Sequence, residues 1–139
     1  MPLSNAPAKK KILIVDDEAD LRELLTEELK DYELLEAGDG VEALEQVTLH
    51  APDLIVTDIH MPNLDGLAFL KELRDRSNST PVILMTGFGD QQKLRTAWIL
   101  GAFDFLDKPF KMSQLHMLVK LALTEGSAQN LDESRIEEP

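Results

Sequence analysis

Short apolar runs alternate along this chain with longer segments in which apolar residues recur every three or four positions. Residues 12–15 form an unbroken apolar run, which is typical of a strand buried on both faces of a sheet. Residues 18–30 follow the i, i+3, i+4 spacing of an amphipathic helix, with apolar side chains at Leu21, Leu24, Leu25 and Leu29. The chain is therefore predicted to begin with a buried strand and a helix.

The same alternation predicts four further pairs of strand and helix. The strands are predicted at residues 32–37, 54–57, 81–85 and 103–106. The second helix is predicted to begin after Asp39, which is a good N-cap. The third and fourth are predicted at residues 66–74 and 91–100, and the fifth follows the last strand. The inner face of the second helix is predicted at Val41, Leu44 and Val47, and that of the last at Leu115, Leu118, Val119 and Ala122. Five such units favour an α/β fold, a doubly wound parallel sheet of five strands with five helices.

Length and composition bound the organisation of the chain. Its 139 residues fit one domain, predicted at residues 11–124, after a lead-in at residues 1–10 and before an acidic tail or linker at residues 125–139. The absence of cysteine excludes disulfides and thiolate metal sites, and the net charge of −12 disfavours direct nucleic-acid binding. No apolar run approaches the roughly 20 residues that cross a bilayer, so we expect a cytoplasmic protein without membrane contact.

Residues with useful chemistry follow the predicted strands. Asp16 and Asp17 follow the first strand, Asp58 the third and Thr86 the fourth, and Lys108 comes shortly after the fifth. Ligands of open α/β sheets bind beyond the carboxyl ends of the strands, where the strand order reverses. If the order is 2-1-3-4-5, the three aspartates share one pocket and the other two side chains lie on its rim.

Three neighbouring carboxylates repel one another, and a bound cation would relieve the repulsion. Ligands that are all oxygen favour Mg²⁺, or Mn²⁺, over zinc, and protein-bound Mg²⁺ commonly meets a phosphate. Asp58 ends a central strand and could act as the nucleophile that carries an acyl phosphate. A lone aspartate in this position is more often a cap or turn residue. The combination with Asp16, Asp17, Thr86 and Lys108 is what favours phosphoryl chemistry.

At these residues the sequence resembles the receiver domains of response regulators in two-component signal transduction, over about residues 10–124. The segment DIHMPNLDG at residues 58–66 is similar to the phosphoacceptor signature of that family, and VDDE at residues 15–18 to its acidic pair. The pairs Thr86-Gly87 and Lys108-Pro109 supply the remaining motifs. The resemblance implies a flavodoxin-like sheet of order 2-1-3-4-5 and a switch controlled by phosphorylation.

The resemblance also implies roles for individual residues in binding the metal ion. Asp17 and Asp58 would ligate Mg²⁺ directly, together with the backbone carbonyl of His60, and Asp16 would hold a metal-bound water. The side chain of His60 could itself be taken for a ligand, but beside an oxygen-rich site it is predicted to face solvent.

Other residues are implied to act on the phosphoryl group or to respond to it. Lys108 would pair with the phosphoryl group or with unmodified Asp58, and the bond before Pro109 would be cis. Thr86 would move to hydrogen-bond a phosphoryl oxygen, and Phe105 would turn inward into the vacated space. Phe88, two residues after Thr86, either slows dephosphorylation by its bulk or merely packs on its loop.

The family also suggests partners. A sensor histidine kinase, a histidine phosphotransfer protein or a small acyl phosphate would supply the phosphoryl group, and the domain would catalyse its own phosphorylation and slow dephosphorylation. An output domain or effector, or a second copy, would use the face of the fourth helix, fifth strand and fifth helix. Trp98 and Ile99 are candidates for that face, although Trp98 could instead belong to the core.

Two other functions compete with a receiver that stands alone or forms part of a longer regulator. One is a Mg²⁺-dependent phosphatase that turns over external substrates through an aspartyl phosphate, for which the sequence provides neither an evident general acid nor a lid. The other is a pseudo-receiver that binds partners without being phosphorylated, which five suitable side chains at the strand ends disfavour.

Overall fold

The computed structural model describes residues 8–129, which form a five-stranded parallel sheet between two layers of helices. The strand order is β2-β1-β3-β4-β5, so the predicted fold class and topology are confirmed. The strands are β1 (Lys11–Val15), β2 (Glu33–Ala37), β3 (Leu54–Asp58), β4 (Val82–Thr86) and β5 (Asp104–Asp107). The helices are α1 (Ala19–Glu28), α2 (Gly40–His50), α3 (Gly66–Asp75), α4 (Gln91–Ile99) and α5 (Met112–Gln129).

The two faces of the sheet carry separate apolar clusters, because successive side chains of a strand point to opposite faces. Leu13 and Val15 of β1 pack in the cluster that also contains residues of α2, α3 and α4, including Phe69. Ile12 and Ile14 pack in the other cluster, with residues of α1 and α5. The central strands β3 and β4 are buried along their whole length, as expected for parallel strands covered on both faces.

Two apolar side chains that were predicted to be internal are instead about half exposed. Leu24 and Val41 are each 48% exposed. In α2 the buried pair is Ala43 and Val47, four residues apart, and Val41 lies 200° around the helix from Ala43. The predicted inner positions in α5 are confirmed, since Leu115, Leu118, Val119 and Ala122 are all buried.

The last helix extends beyond the predicted end of the domain at residue 124. Helix α5 continues past residue 124 to Gln129. Residues 1–7 and 130–139, which hold most of the predicted lead-in and acidic tail, lie outside the described residues. Within residues 8–129, no helix is both long enough and apolar enough to cross a membrane.

Local capping and one glycine position the loop that follows β3. The Asp65 carboxylate caps α3 by accepting the Ala68 amide at 2.8 Å. The Gly66 amide donates to the Ile59 carbonyl at 2.8 Å, which folds the start of α3 back against the end of β3. A Cβ atom at Gly66 would overlap the Asp58 carbonyl oxygen, so the close approach requires glycine.

Candidate functional site

Three carboxylates converge at the carboxyl ends of β1 and β3. The two strands are hydrogen-bonded neighbours, with Val15 opposite Thr57, so the residues at their ends are adjacent. Asp16, Asp17 and Asp58 each offer an oxygen, and these oxygens lie within 4.8 Å of one another. Asp16 and Asp58 are buried and Asp17 is exposed. The predicted acidic pocket is therefore present as a geometric feature.

Asp16 is the most constrained of the three. Its Oδ1 accepts the Glu18 amide at 2.8 Å, whereas its buried Oδ2 has no hydrogen-bond partner in the described part of the chain. Burial raises the pKa of the Asp16 carboxyl to about 6; the Glu18 amide opposes this rise and the charge of Asp58 adds to it. Among residues 8–129, no protein group therefore satisfies this carboxylate oxygen.

Lys108 places its ammonium group against the acidic pocket. Its Nζ donates to Asp58 Oδ2 at 2.8 Å and lies 3.9 Å from Asp16 Oδ2. Burial lowers the pKa of Lys108, but the Asp58 and Asp16 carboxylates outweigh it and the net pKa is raised. The backbone holds this residue through Lys108 N, which donates to Thr86 O at 2.8 Å, and the following bond to Pro109 is cis, as the resemblance implied.

These residues fit a cation with oxygen ligands. The Lys108 ammonium lies against Asp16 and Asp58, and the buried Asp16 Oδ2, which has no hydrogen-bond partner within residues 8–129, would suit a cation as its partner. Hard oxygen donors without nitrogen or sulfur match a small divalent ion better than zinc.

Thr86, which the sequence places on the pocket rim, is engaged elsewhere in this structure. Its side chain is buried at the end of β4, and its hydroxyl donates to Asp107 Oδ1 at 2.6 Å. Asp107 was missed by the sequence reasoning. The sequence signal was only that Thr86 and Asp107 each follow a predicted strand; the register that places them opposite each other is seen in the structure.

The predicted partner surface is exposed. Trp98 and Ile99 are 59% and 78% exposed, while Ala97 beside them is buried, so the alternative that Trp98 belongs to the core is wrong. Phe105, on β5, is half-buried, and its ring lies against Trp98 with 5.6 Å between the ring centroids.

His60 has a partner that its sequence position did not reveal. Its backbone amide donates to Asp58 Oδ1 at 3.3 Å, and its partly exposed ring places Nε2 2.6 Å from Asp90 Oδ1. Burial opposes ionisation of Asp90, yet the Gly87 amide and the His60 ring outweigh it and lower the pKa of that carboxyl. This contact joins the loop after β3 to the start of α4.

Comparison with known proteins assigns this arrangement to a family. Residues 12–120 match the model of the response regulator receiver domain. The chain belongs to that family. Receiver domains are also its structural neighbours: a receiver domain from Clostridium thermocellum superposes with a TM-score of 0.81 at 30% identity, covering 86% of this chain and 98% of that one.

Curated relatives of this receiver domain are longer regulators. It is 42% identical over 117 residues to the probable transcriptional regulator ycf27 of Cyanophora paradoxa, covering 83% of this chain and 48% of that protein. It is 40% identical over 118 residues to the regulatory protein AtoC of Escherichia coli, covering 84% of this chain and 26% of that protein. The chain thus spans half or less of the length of these two relatives.

The burial of Asp16 predicts an unusual effect of pH on the metal-free receiver domain. Since the folded-state pKa of about 6 exceeds the ordinary 3.8, ionisation of Asp16 costs stability as the pH rises from about 4 through about 6. With a chelator present to remove metal ions, Asp16→Asn should therefore raise the free energy of unfolding at pH 7 by roughly 1–3 kcal/mol. The gain should vanish near pH 4. Urea unfolding at both pH values measures this.

The matched control is Asp17→Asn, which neutralises an exposed carboxylate of the same pocket and should change the free energy of unfolding much less. A loss of stability in Asp16→Asn at pH 7 would contradict the predicted cost of the buried charge.

Proposed function

We propose that this receiver domain is a phosphorylation-activated switch in which Asp58 is the phosphoacceptor. The observation that supports the proposal most is the contact of 2.8 Å between Lys108 Nζ and Asp58 Oδ2. It lies at the edge of a pocket in which a buried Asp16 oxygen has no hydrogen-bond partner from residues 8–129. A carboxylate nucleophile, a fixed cation and an oxygen-rich cation site are what phosphoryl transfer to an aspartate requires.

Phosphorylation needs a phosphoryl donor and the Asp58 carboxylate, and no further reactant. An oxygen of the Asp58 carboxylate attacks the phosphorus of the donor, the new O–P bond forms, and the bond to the leaving group breaks. Lys108 balances charge on the phosphoryl oxygens from a position that its backbone already holds. Water later attacks the same phosphorus and returns free Asp58 and inorganic phosphate.

Mg²⁺ is the ion that we assign to the acidic pocket, and Mn²⁺ would also suit its donors. Asp17, Asp58 and the backbone carbonyl of His60 would hold the ion, and Asp16 would hold a water bound to it. When bound, the ion supplies positive charge that neutralises the phosphoryl oxygens. Relief of the carboxylate repulsion would stabilise the folded domain at the same time.

Thr86 and Phe105 would convert the modification into a change of surface. In the phosphorylated state the Thr86 hydroxyl donates to a phosphoryl oxygen, and Phe105 turns inward from its contact with Trp98. Bonds made in only one state shift the equilibrium by their differential contacts.

The proposed partners follow from this chemistry. A sensor histidine kinase or a histidine phosphotransfer protein supplies the phosphoryl group, in the cytoplasm where ATP is available. Trp98 and Ile99, on the face of α4, β5 and α5, contact an output domain, an effector or a second copy. The two curated relatives are regulatory proteins by name, and the net charge of −12 favours control of such a partner over direct nucleic-acid binding.

Phosphorylation by a small acyl phosphate tests the proposal directly. With Mg²⁺, intact mass should show a single, stable phosphoryl adduct on the parent, and Asp58→Asn should abolish it because the amide is a poor nucleophile. Asp16→Asn and Lys108→Ala should reduce the adduct without removing its acceptor.

The same experiment separates the competing functions. Rapid release of phosphate with little adduct would support a phosphatase. The absence of both adduct and turnover, in a folded protein, would support an interaction module that works without phosphorylation.

We expect the Phe88 side chain to lengthen the lifetime of the phosphoryl adduct. Its side chain is fully exposed, so it does not pack on its loop, and it lines the same surface cavity as Lys108. A bulky ring there should restrict the approach of water. Phe88→Ala should therefore speed dephosphorylation by roughly two- to tenfold, a barrier change of up to about 1.4 kcal/mol.

Decay of the adduct after removal of the acyl phosphate, followed by intact mass, measures this rate. Leu49→Ala removes another exposed apolar side chain, on α2, and should leave the rate unchanged. Decay of Phe88→Ala no faster than that of the parent would refute the prediction.

We expect the activated domain to self-associate through Ile99. This exposed apolar side chain lies beside Trp98 and suits a contact between two copies. With Mg²⁺ and beryllium fluoride, a phosphoryl mimic, the parent should form a dimer and Ile99→Lys should remain a monomer. Light scattering after gel filtration measures the mass. Leu49→Lys places the same charge at a comparably exposed position on α2 and should still dimerise. A parent that stays monomeric with the mimic bound would exclude the dimer.

A further inference from the structure

The hydroxyl of Thr86 donates to a carboxylate that lies outside the proposed phosphorylation chemistry. The distance from Thr86 Oγ1 to Asp107 Oδ1 is 2.6 Å, short for a hydroxyl donor and typical of a charged acceptor. A hydroxyl has one proton to donate. While Asp107 accepts it, Thr86 cannot donate to a phosphoryl group on Asp58.

We propose that Asp107 is a positioning residue that holds the Thr86 hydroxyl away from the phosphorylation site until a phosphoryl oxygen competes for the same proton. This inference rests on the proposed function, since it concerns the equilibrium between the unmodified and the phosphorylated site. It assigns a role to the residue that immediately precedes Lys108.

The backbone keeps the two partners in register. Thr86 and Asp107 are opposite each other at the ends of β4 and β5, and the next amide, Lys108 N, donates to Thr86 O at 2.8 Å. Two consecutive residues of one strand end therefore hold both the carbonyl and the hydroxyl of Thr86. The Thr86–Asp107 contact and the Lys108–Asp58 contact are thus set by the same short segment.

The exposure of Asp107 makes the contact reversible. Thr86 is buried, with 1% of its surface exposed, whereas Asp107 lies at the exposed end of an edge strand. When the hydroxyl leaves, water can solvate the Asp107 carboxylate, so no buried charge is stranded. The bond is then strong enough to bias the rotamer of Thr86 and weak enough for a phosphoryl oxygen to displace it.

Removal of the competing acceptor should strengthen binding of a phosphoryl mimic. If Thr86 can donate only when it has left Asp107, the apparent dissociation constant is the intrinsic constant divided by the fraction of molecules in which it has left. For Asp107→Ala we expect beryllium fluoride, with Mg²⁺, to bind roughly three- to tenfold more tightly than to the parent. Asp107→Asn keeps a weaker, neutral acceptor and should fall between them.

A purely electrostatic effect of Asp107 on the anionic mimic is the main alternative. The two explanations separate in the Thr86→Val background, which lacks the hydroxyl and nearly preserves the shape of the side chain. If Asp107 acts through Thr86, the gain from Asp107→Ala disappears in the double variant. If it acts through its charge, the gain persists there. Asp104→Ala removes a carboxylate from the other end of β5 and should leave the affinity unchanged.

The deciding experiment is calorimetric titration with beryllium fluoride. It compares the parent, Asp107→Ala, Thr86→Val and the double variant that combines these two changes. A gain in Asp107→Ala that is lost with Thr86→Val supports the proposal, and an unchanged or weakened affinity in Asp107→Ala overturns it. A gain that survives Thr86→Val also overturns it.

Unfolding of the same four proteins without Mg²⁺ or mimic provides a readout that is independent of phosphoryl chemistry. A favourable coupling between the two positions is expected from the hydrogen bond, and its absence would overturn the inference. If the parent binds the mimic while Asp107→Ala shows no gain, this inference fails alone. If the parent neither binds the mimic nor forms an adduct with acyl phosphate, the proposed function fails and this inference fails with it.

Discussion

The acidic pocket depends on the pairing of two neighbouring strands, which makes three carboxylates converge at their ends. Apolar strands β1 and β3 pair in the middle of the sheet, and this pairing brings Asp16, Asp17 and Asp58 together. The ammonium of Lys108 compensates part of their charge, and Asp16 Oδ2 is buried without a hydrogen-bond partner in the described part of the chain. The core thus holds an arrangement that is electrostatically incomplete by itself. A cation and then a phosphoryl group would complete it.

Polar contacts fix both ends of α4, the helix that carries the exposed apolar surface. At its start, Asp90 accepts the Gly87 amide at 2.7 Å and lies against the His60 ring. At its end, Arg74 of α3 donates to the carbonyls of Leu100 and Gly101 at 2.8 and 3.0 Å. The first contact begins two residues after Asp58 and the second lies on a different helix. Movement at the acidic pocket would therefore act on the start of α4 while Arg74 holds its end.

Hydrophobic periodicity was enough to predict five strands and five helices, since burial on both faces leaves a strong pattern in parallel strands. The ends of β3, β4 and β5 lie one residue beyond the predicted ends, and the strand order was implied by the family resemblance. The periodicity was less reliable at Leu24 and Val41, where a helix face is broader than the stripe that touches the sheet. The contacts of His60 with Asp90 and of Thr86 with Asp107 were missed. The first contact joins residues 30 positions apart and depends on loop geometry. The second joins residues 21 positions apart and depends on strand register. No local sequence pattern encodes either of these.

The placement of Asp107 also explains how a change at Thr86 would reach the exposed surface. Phe105 and Asp107 are two residues apart on β5, so their side chains point to the same face of the sheet. Phe105 packs on the cluster that contains Ala97 of α4, and its ring contacts Trp98. The Thr86–Asp107 bond and the Phe105–Trp98 contact thus lie along one edge of that face. Loss of the first would remove a side-chain contact at the end of the strand whose middle supports the second, while the backbone bond from Lys108 N to Thr86 O remains. Under the proposed function, these two contacts on one edge strand would connect the pocket to the surface of α4.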